Sequence, residues 1–447
     1  MQNYKQQFKN KKITLMRIGL LGRGVGDAAF LAECGAQVLV VDDASQKVMQ
    51  PSVNKLKKYK NIRFKFGKYD LNDFKNCDFV LKGAGTLLDS IEIAEARKHK
   101  IPIKMDVSLF AKSARDVMII GVTGTRGKSM VTALVYEILK KNKKFLKRNV
   151  YIGGNVRGIA TLPLLKKVKT GDILVCELDS WQLQGFGDAK ISPHISIFTS
   201  FMPDHMNYYK NDMKKYFKDK TNIFKYQKKN DILIIRPEVK KLIPKKIKSK
   251  LIIADAKDVD KYNFIVPGEH QRENLACAVE VAKLFNIPIP KIAQAIKGFK
   301  GLEGRLQYVK TIKGVKIYND NNATTIHATM AGLEALGTSK TKNIVLIMGG
   351  TDKIVDLDLK PFAKSINKYC KDVIFIPGTG TDRLIKTKKL KTPYIFAINL
   401  KKVAEIASGL SKKGNIILFS PAFASFGMFK NEYDRGDQFL EIIKNLK

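Results

Sequence analysis

The segment 117-VMIIGVTGTRGKS-129 joins an apolar run to a glycine-rich turn that ends in Lys128 and Ser129. Residues 117–122 have the length and composition of a buried strand, and a helical pattern follows the turn as far as residue 139. A strand, a glycine-rich turn and a helix in this order form a phosphate-binding loop, since backbone N–H groups can surround an anion there. Lys128 can place a positive charge at the β- and γ-phosphate oxygens, and the Ser129 hydroxyl can ligate Mg²⁺. The segment therefore predicts an α/β domain that binds a nucleoside triphosphate.

Two further strand ends carry polar side chains suited to phosphoryl chemistry. Glu177 follows an apolar run at residues 173–176, and the pair Asp204-His205 follows another at residues 195–198. Ligands of open α/β sheets bind at the carboxyl ends of the strands, and carboxylates are hard ligands for Mg²⁺. We therefore expect Glu177 and His205 near the bound phosphates, although a single histidine is as often a structural residue.

Two glycine-rich turns lie nearer the N-terminus, each after a short apolar run. Predicted strands at residues 18–21 and 37–41 flank the first turn, and the second turn follows a predicted strand at residues 79–81. Such turns let the backbone approach a diphosphate, but the first has the spacing G-x-G-x-G, which fits a plain tight turn equally well. The residues concerned are Gly22, Gly24, Gly26, Gly83 and Gly85, with Asp42 at the end of the second strand.

The C-terminal third has the strand and helix alternation of another α/β domain. Its apolar runs end at Asp320, Gly349, Pro377 and Ser420. We predict an α/β fold of three domains, each with a mainly parallel sheet flanked by helices. These are a Rossmann-like N-terminal domain at residues 1–105, a central P-loop ATPase domain at residues 106–301 and a Rossmann-like C-terminal domain at residues 302–447.

The net charge of +40 stands out in this chain of 447 residues. A basic chain can bind nucleic acid, but only 13 of the 81 basic residues are arginine, and the lysines are spread along the sequence. We interpret most of the charge as a lysine-rich surface that favours anionic ligands, and we predict no nucleic-acid partner.

No apolar run reaches the roughly 18 residues of a membrane span, and residues 1–12 are polar, which predicts a cytoplasmic protein. The five cysteines lack a C-x-x-C pair and predict neither disulfides nor a zinc site.

Taken together, the motifs resemble those of the Mur ligases, ATP-dependent amide-forming enzymes of peptidoglycan precursor synthesis. The resemblance covers nearly the whole chain in the family's order. It rests on 123-TGTRGKS-129, 153-GGN-155, 177-ELDSWQL-183, 204-DHM-206, 268-GEH-270 with Asn274, 301-GLEGR-305, 319-ND-320 and 349-GGTDK-353. The stretch 420-SPAFASF-426, followed by Phe429-Lys430 and Arg435-Gly436, is similar to the signature of the members that add D-glutamate.

The resemblance implies an acyl-phosphate mechanism with two Mg²⁺ ions. A substrate carboxylate attacks the γ-phosphate of ATP, and the amine of an incoming amino acid then displaces phosphate. Lys128 would steady the transferring phosphoryl group, Ser129 and Glu177 would hold one Mg²⁺, and His205 would hold the second. Family members carry a carbamylated, metal-bridging lysine downstream of the Asp-His pair, and the pattern 216-YFKDK-220 nominates Lys220. A solvated helix lysine is the alternative for Lys220.

The same resemblance implies the substrates and the residues that bind them. ATP would contact Gly124, Thr125, Arg126, Gly127, Lys128, Ser129 and Met130, with Asn274 at adenine and Arg305 and Asp320 reaching the nucleotide from the third domain. UDP-N-acetylmuramoyl-L-alanine would lie against Val25, Gly26, Asp42, Gly83, Gly85 and Asn155. D-Glutamate would be held by Thr324, Lys353 and Ser425, where a cation and hydroxyl donors meet a dicarboxylate.

Several positions depart from the family pattern and leave the amino acid open. The family has asparagine at Ser200, histidine at Gly304, glutamate at Gln307, Ser-Lys at Asn321-Asn322 and an aromatic residue near Glu432. Another Mur-type ligase or a folylpolyglutamate-type ligase is therefore an alternative. A basic P-loop ATPase that binds nucleic acid and a non-catalytic homologue are further alternatives, but the sequence contains no nucleic-acid module and keeps the expected catalytic residues. We expect a monomer.

Overall fold

The computed structural model describes residues 4–20, 22–352, 357–425 and 428–446. The chain forms two compact units, the first composed of Met1–Tyr262 and Glu273–Ile296, and the second of Asn263–Arg272 and Lys297–Lys447. The first unit contains two sheets and the second contains one sheet. Within the described ranges, no helix has both the length and the apolar composition that crossing a membrane requires.

The first sheet consists of five parallel strands. They are β1 (Lys12–Met16), β2 (Gln37–Asp42), β3 (Ile62–Phe66), β4 (Phe79–Lys82) and β5 (Ile103–Lys104), in the order β3-β2-β1-β4-β5. The accompanying helices are α1 (Tyr4–Phe8), α2 (Arg23–Glu33), α3 (Gln46–Leu56), α4 (Asn72–Lys75) and α5 (Ile91–Lys98). The strand order reverses between β1 and β4, and such a reversal opens a crevice at the carboxyl ends of the two strands.

The second sheet consists of six parallel strands. They are β6 (Met118–Thr123), β7 (Val150–Gly154), β8 (Ile173–Glu177), β9 (Ile195–Phe198), β10 (Ile232–Ile235) and β11 (Lys250–Ile253), in the order β11-β10-β9-β6-β8-β7. The helices that follow in the chain are α6 (Asp106–Ser113), α7 (Lys128–Lys141), α8 (Lys143–Leu146), α9 (Ser180–Ala189), α10 (Met213–Thr221), α11 (Glu269–Leu284) and α12 (Ile289–Ile296). Short 3₁₀-helices lie at Leu162–Lys166, Pro237–Leu242 and Ala256–Val259. Because β6 lies between β8 and β9, the ends of both neighbours meet the phosphate-binding loop.

The third sheet lies in the second unit and is parallel except for one strand. Its strands are β12 (Gln307–Ile312), β13 (Val315–Asn319), β14 (Ile344–Gly349), β15 (Cys370–Ile376), β16 (Tyr394–Phe396) and β17 (Ile416–Phe419), in the order β12-β13-β17-β14-β15-β16. Its helices are α13 (Ile326–Leu336), α14 (Lys360–Tyr369), α15 (Thr379–Lys386), α16 (Leu400–Leu410) and α17 (Glu432–Asn445). The strand β12 is antiparallel to β13, while the other pairs are parallel.

Burial on both faces explains why the central strands read as continuous apolar runs. Every residue of β8 and of β14 is buried, as expected for a parallel sheet covered by helices on both sides. The helices are apolar on one face only: α7 buries Val131, Leu134 and Ile138, which follow one another at helical spacing. The predicted α/β class with mainly parallel sheets is confirmed. The three sheets span residues 12–104, 118–253 and 307–419, and the domain boundaries themselves stay a prediction.

The predicted strand at residues 18–21 is wrong, because the first strand is β1 (Lys12–Met16). Arg17 and Gly19 have left-handed φ angles of +63° and +64°, which end the extended backbone. Ile18 is nevertheless buried in the core from its position in the loop. The apolar side chain that suggested a strand is thus a core residue supplied by a turn. Leu21 lies outside the described residues.

The antiparallel strand β12 is absent from the sequence-based prediction. Lys313 and Gly314 join it to β13 with φ angles of +48° and +79°. Positive φ at both central residues is the mark of the tight turn that suits the twist of a hairpin. A Lys-Gly pair is a weak local signal for this turn, which is why the pattern of apolar runs did not reveal it.

Candidate active site

The phosphate-binding loop joins β6 to α7 in the middle of the second sheet. Gly124 has a φ of +143° and Gly127 has a φ of +88°, values that side chains of L-residues rarely adopt. A Cβ atom on Gly124 would clash with Thr199 Oγ1, and one on Gly127 would lie 2.5 Å from Asn274 Oδ1. Glycine is therefore required at both positions. The turn leads into the N-terminus of a helix of 14 residues, where N–H groups and the helix dipole attract a phosphate.

The segment after β9 holds this loop in position. Thr125 N–H donates to the Ser200 carbonyl at 2.8 Å, and Arg126 N–H donates to Ser200 Oγ at 2.9 Å. Thr125 Oγ1 also donates to the Met202 carbonyl and accepts from the Met202 N–H, both at 3.1 Å. Ser200 is one of the positions that depart from the Mur ligase pattern, and here its hydroxyl supports the loop directly.

Two lysine side chains meet at one carbonyl of the loop. Lys128 Nζ donates to Gly124 O at 3.0 Å and to Thr125 O at 3.1 Å, while Lys220 Nζ donates to Gly124 O at 2.8 Å. Lys220 is 1% exposed, and its ammonium nitrogen lies 4.8 Å from the centre of the Tyr216 ring. Burial, with the Lys128 charge adding to it, places the pKa of Lys220 well below its ordinary value. Lys220 is therefore not a solvated surface lysine.

Asp204 ties its segment to the loop through an ion pair. Arg126 Nη1 lies 2.9 Å from Asp204 Oδ2. Burial disfavours the Asp204 carboxylate, but the charges of His205 and Arg126 outweigh burial and lower its pKa to about 2. His205 has a left-handed φ of +55°, and its ring lies 4.7 Å from the Trp181 ring. Burial lowers the pKa of His205, which favours the neutral imidazole that can ligate a metal.

Glu177 reaches the same sheet edge from β8. Its register partner in β6 is Val122, the residue before the last of that strand. The Asn155 N–H donates to the Glu177 carbonyl at 2.8 Å, and Asn155 Nδ2 lies 3.5 Å from Glu177 Oε1. Two residues further on, Asp179 caps α9 in a reciprocal arrangement with Gln182. The structure therefore brings the predicted strand-end residues together with the loop.

The other nucleotide residues predicted in the first unit lie in or against the loop. Ser129 is in the first turn of α7, next to Lys128. Met130 is buried and belongs to the apolar side of α7, so only its backbone is placed to meet a phosphate. Asn274, in α11, is buried with its side-chain oxygen beside Gly127.

The donor set at this edge is sparse in acidic groups. Among the residues that the structure describes, no cluster of three or more His, Cys, Asp or Glu side chains is suited to a metal ion. The edge instead offers the buried carboxylate of Glu177, the Ser129 hydroxyl and the His205 ring. Such a set fits Mg²⁺, which keeps water ligands and shares phosphate oxygens with one or two protein carboxylates.

A cavity of about 290 Å³ lies in the first unit, at the carboxyl ends of β1 and β4. The cations Arg17, Arg23 and Lys82 line it together with the Gly83–Gly85 turn. The acidic residues Asp27 and Asp106 line it as well, and burial raises the pKa of both carboxyl groups. Lys82 Nζ donates to the carbonyls of Gly83, Ala84 and Thr86 at 3.3, 3.3 and 3.0 Å, and burial lowers its pKa to about 8. Cations beside a glycine-rich turn at a strand-order reversal suit an anionic ligand.

The predicted ligands of this region divide into two groups. Gly83 and Gly85 line the cavity, whereas Val25, Gly26 and Asp42 do not. Val25 belongs to the apolar core, and a Cβ on Gly26 would lie 2.5 Å from Ala160 Cβ, so that glycine allows close packing. Asp42 is buried and accepts the Ala44 N–H at 3.1 Å. Substrate contacts of these three residues stay predictions.

Two comparisons with known proteins identify the family. A model of the Mur ligase middle domain matches residues 122–262, which include the loop, Glu177, His205 and Lys220. The UDP-N-acetylmuramoylalanine–D-glutamate ligase of Borreliella burgdorferi is 33% identical over 464 residues, covering 98% of this chain and 99% of that protein. The chain belongs to the Mur ligase family.

Solved Mur ligases share the fold of the chain. The UDP-N-acetylmuramate–alanine ligase of Thermotoga maritima aligns with a TM-score of 0.62 at 19% identity, covering 98% of this chain and 100% of that one. A MurF ligase from the same organism, in complex with ADP, aligns with a TM-score of 0.60 at 15% identity, covering 99% and 98% of the two chains. As a family member, the chain is an enzyme of the ligase class.

The second unit of this Mur ligase holds Asp320 in a closed hydrogen-bond arrangement. Asp320 Oδ2 accepts from Ser420 Oγ at 2.8 Å, and Oδ1 accepts from the Leu306 N–H at 3.0 Å. Burial raises the pKa of Asp320 to about 7. Both carboxylate oxygens accept hydrogen bonds from the second unit itself. Asp320 therefore links the end of β13 to the end of β17.

The other residues predicted in the second unit lie on the segments around β13 and β17. Arg305 forms an isolated bridge with Leu302, and the Thr324 N–H donates to the Asn322 carbonyl at 3.0 Å. Ser425 is buried and follows Ala424, which pairs with Thr351. Lys353 and Phe426 lie outside the described residues.

Two buried cationic side chains near these sites, Arg435 and Lys82, were not predicted from the sequence as site residues. Arg435 is 1% exposed, and its guanidinium donates to Asn321 Oδ1 at 2.7 Å, to Asn321 O at 3.0 Å and to Phe423 O at 3.3 Å. Asn321, one of the positions that depart from the family pattern, is thus hydrogen-bonded to Arg435 of the C-terminal signature. Both had a weak signal in the sequence: Arg435 belongs to the motif Arg435-Gly436, and Lys82 lies between the strand predicted at residues 79–81 and Gly83.

Proposed function

We propose that this Mur ligase uses ATP to join D-glutamate to UDP-N-acetylmuramoyl-L-alanine. The product is an amide of the alanyl carboxylate, formed through an acyl phosphate with release of ADP and phosphate. The observation that supports this most strongly is the full-length identity of 33% with a D-glutamate ligase, together with the geometry of the loop edge. We also propose a monomer that acts in the cytoplasm.

In this proposal, the loop and Lys128 bind the triphosphate and neutralise its charge. Lys128 is held 3.0 Å from Gly124 O at the helix N-terminus, where a γ-phosphate would gain from both the ammonium and the helix dipole. Arg126, Gly127, Ser129 and the backbone of Met130 complete the phosphate contacts, and Asn274 meets the adenine. The chemical step then depends on holding the carboxylate and the γ-phosphate in line.

We propose that Ser129 and Glu177 hold one Mg²⁺ and that His205 holds a second. When bound, these ions would neutralise charge on the transferring phosphoryl group. The neutral form of His205 and the buried carboxylate of Glu177 suit this role.

We propose further that Lys220 is carbamylated. A buried amine that loses its proton readily can react with carbon dioxide, and the resulting carbamate would add an anionic ligand to the carboxylate of Glu177. Lys220 and Lys128 would then form an anion–cation pair at the Gly124 carbonyl instead of two adjacent cations.

We assign the substrate residues to the segments as the sequence predicted them. The cavity with Gly83, Gly85, Arg23 and Lys82 would take the UDP diphosphate, and Asn155 would meet the muramoyl end. Thr324, Ser425 and Lys353 would bind D-glutamate. These roles correspond to a UDP-binding segment at residues 1–105, an ATP-binding segment at residues 106–301 and an amino-acid-binding segment at residues 302–447.

Phosphate release tests the proposed reaction. The chain is incubated with ATP, Mg²⁺ and UDP-N-acetylmuramoyl-L-alanine, and each of several amino acids is added in turn. We expect release and a new amide product only with D-glutamate. The departures at Asn322 and Glu432 keep another amino acid open, so turnover with L-lysine, meso-diaminopimelate or L-alanine in place of D-glutamate would replace the assignment.

Isotope-labelled bicarbonate tests the modification of Lys220. We expect a carbamate signal in the ¹³C NMR spectrum of the active enzyme, absent from the Lys220→Met variant. Acidification should remove both the signal and the activity, because protonation of the amine reverses carbamate formation. The Lys218→Met variant, altered at a nearby helix lysine, is the control. A fully active enzyme without the signal would contradict the proposal.

A further inference from the structure

The outer edge of the third sheet exposes an unusual strip of apolar side chains. The edge strand β16 leaves Tyr394, Ile395 and Phe396 exposed at 42%, 42% and 52%, and Ile398 beyond it is 79% exposed. Four of the sixteen large apolar side chains that are exposed in the described residues therefore lie within five consecutive positions. Scattered apolar residues are normal on a surface, whereas a contiguous group marks an interaction site.

The aromatic side chains of the strip pack on the core of the third sheet. The Tyr394 and Phe396 rings lie 5.4 and 5.7 Å from the buried Phe375 ring, and 6.0 Å from one another. Alternation along the strand places Ile395 on the opposite face. The edge thus presents apolar groups on both faces.

Lysines flank the strip at both ends. Exposed lysines precede it at Lys386, Lys388, Lys389 and Lys391, and follow it at Lys401 and Lys402. Residues 383–402 contain no Asp or Glu. The exposed Asp382 and Glu405 lie just beyond them, and Lys402 Nζ lies 3.3 Å from Glu405 Oε2. We call the exposed residues Tyr394, Ile395, Phe396 and Ile398, with these six lysines, the lysine-flanked edge.

We propose that the lysine-flanked edge docks on an anionic phospholipid surface. Clustered lysines are attracted to acidic headgroups, and exposed tyrosine, phenylalanine and isoleucine side chains gain by entering the boundary between headgroups and acyl chains. Charge complementarity selects this partner, because cations flank an apolar strip that has no acidic residue of its own. The association is peripheral and leaves the chemistry of the ligase unchanged.

Two other partners fit the lysine-flanked edge less well. A second copy of the chain could pair with β16, but a strand of three residues offers few hydrogen bonds and the six lysines of each copy would repel those of the other. Nucleic acid would be attracted by the lysines, but Ile395 and Ile398 would gain nothing from phosphate contacts, and the one arginine of the segment, Arg383, is paired with Asp352.

Vesicle sedimentation tests the proposal with the full chain. The vesicles contain phosphatidylglycerol and phosphatidylcholine in equal parts, or phosphatidylcholine alone. We expect binding to the mixed vesicles only, weakened at least about tenfold in the Phe396→Ser/Ile398→Ser double variant and in a variant with Lys386, Lys388, Lys389 and Lys391 changed to Gln. Ile398→Ser alone, at the most exposed position, should weaken binding without any effect on folding.

A charge-matched variant separates this edge from the general positive field. Changing Lys55, Lys57, Lys58 and Lys60 to Gln removes the same charge from an exposed cluster outside the lysine-flanked edge, and binding should stay within about twofold of the wild type. Equal losses in the two lysine variants would overturn the proposal. Equal binding to both kinds of vesicle would also overturn it, as would full binding by the Phe396→Ser/Ile398→Ser variant. A dimer in sedimentation velocity that this variant dissociates, while vesicle binding persists, would assign the edge to self-association instead.

Discussion

Lys128 owes its position to the loop in which it lies, and its contribution can be tested by one substitution. Its ammonium is fixed between the Gly124 and Thr125 carbonyls. We expect Lys128→Ala to reduce phosphate release at least about 1000-fold, because a cation on the transferring group is worth several kcal/mol in a dry site. Lys143→Ala, at the exposed first residue of α8, should leave the rate unchanged. Ligation that survives in Lys128→Ala would remove this residue from phosphoryl transfer.

Asp320 is a second residue whose behaviour depends on its surroundings. Its pKa rises from an ordinary value of 3.8 to about 7, so the folded protein binds a proton more tightly than the unfolded chain does. The resulting stabilisation is fully present below pH 4 and is lost as pH rises through 7. The free energy of unfolding falls by about 4 kcal/mol over this range.

Replacing Asp320 by asparagine should remove this pH dependence. The amide oxygen can still accept the Leu306 N–H, and the Ser420 hydroxyl can accept from the amide nitrogen. As pH rises from 5 to 8, we expect the thermal midpoint of the wild type to fall relative to that of Asp320→Asn. Parallel midpoint curves for the two proteins would contradict the raised pKa.

At the scale of elements, the turn between β6 and α7 depends on a close approach at Gly127. A methyl group there meets both a left-handed φ and the Asn274 side-chain oxygen at 2.5 Å. We expect Gly127→Ala to weaken ATP binding at least about tenfold, measured by calorimetry, since backbone strain of about 1–2 kcal/mol adds to the clash. Gly171→Ala is the matched control, because Gly171 has a φ of +83° with no atom within 4 Å of the added carbon. Equal affinities in the two variants would show that the clash does not matter.

Elements with a buried parallel strand were predictable, and those shaped by a turn were not. The apolar runs at residues 117–122 and 173–176 predict β6 and β8, because burial on two faces requires a continuous apolar sequence. The loop at residues 123–129 predicts the start of α7. The run that begins at Ile18 is also apolar, but Arg17 and Gly19 are left-handed, so residues 18–20 form a loop. A run of apolar residues indicates a buried segment, but it does not show whether that segment is a strand or a turn.

At the scale of the whole molecule, the charge of +40 predicts a stability that depends on salt. Self-repulsion destabilises a compact chain of high net charge, and the screening length falls from about 30 Å at 0.01 M to about 8 Å at 0.15 M salt. We expect the thermal midpoint to rise over this range, by about 2–4 °C for each kcal/mol of repulsion that is screened. A chloride salt of a second cation should give the same rise, and a neutral osmolyte at equal osmolality should not reproduce the dependence. A falling midpoint would mean that attractive ion pairs outweigh the repulsion.

The sequence by itself determined the α/β class, the phosphate-binding loop, the strand ends with Glu177 and His205, and the order of motifs that resembles the Mur ligases. These depend on neighbours along the chain, since apolar runs, glycines and helix starts act over a few residues. Only the tertiary structure decided that Lys128 and Lys220 meet at the Gly124 carbonyl, that Asp320 is closed off by Ser420, and that Arg435 holds Asn321. Burial and charge at these groups come from residues distant in sequence, and no local pattern contains them.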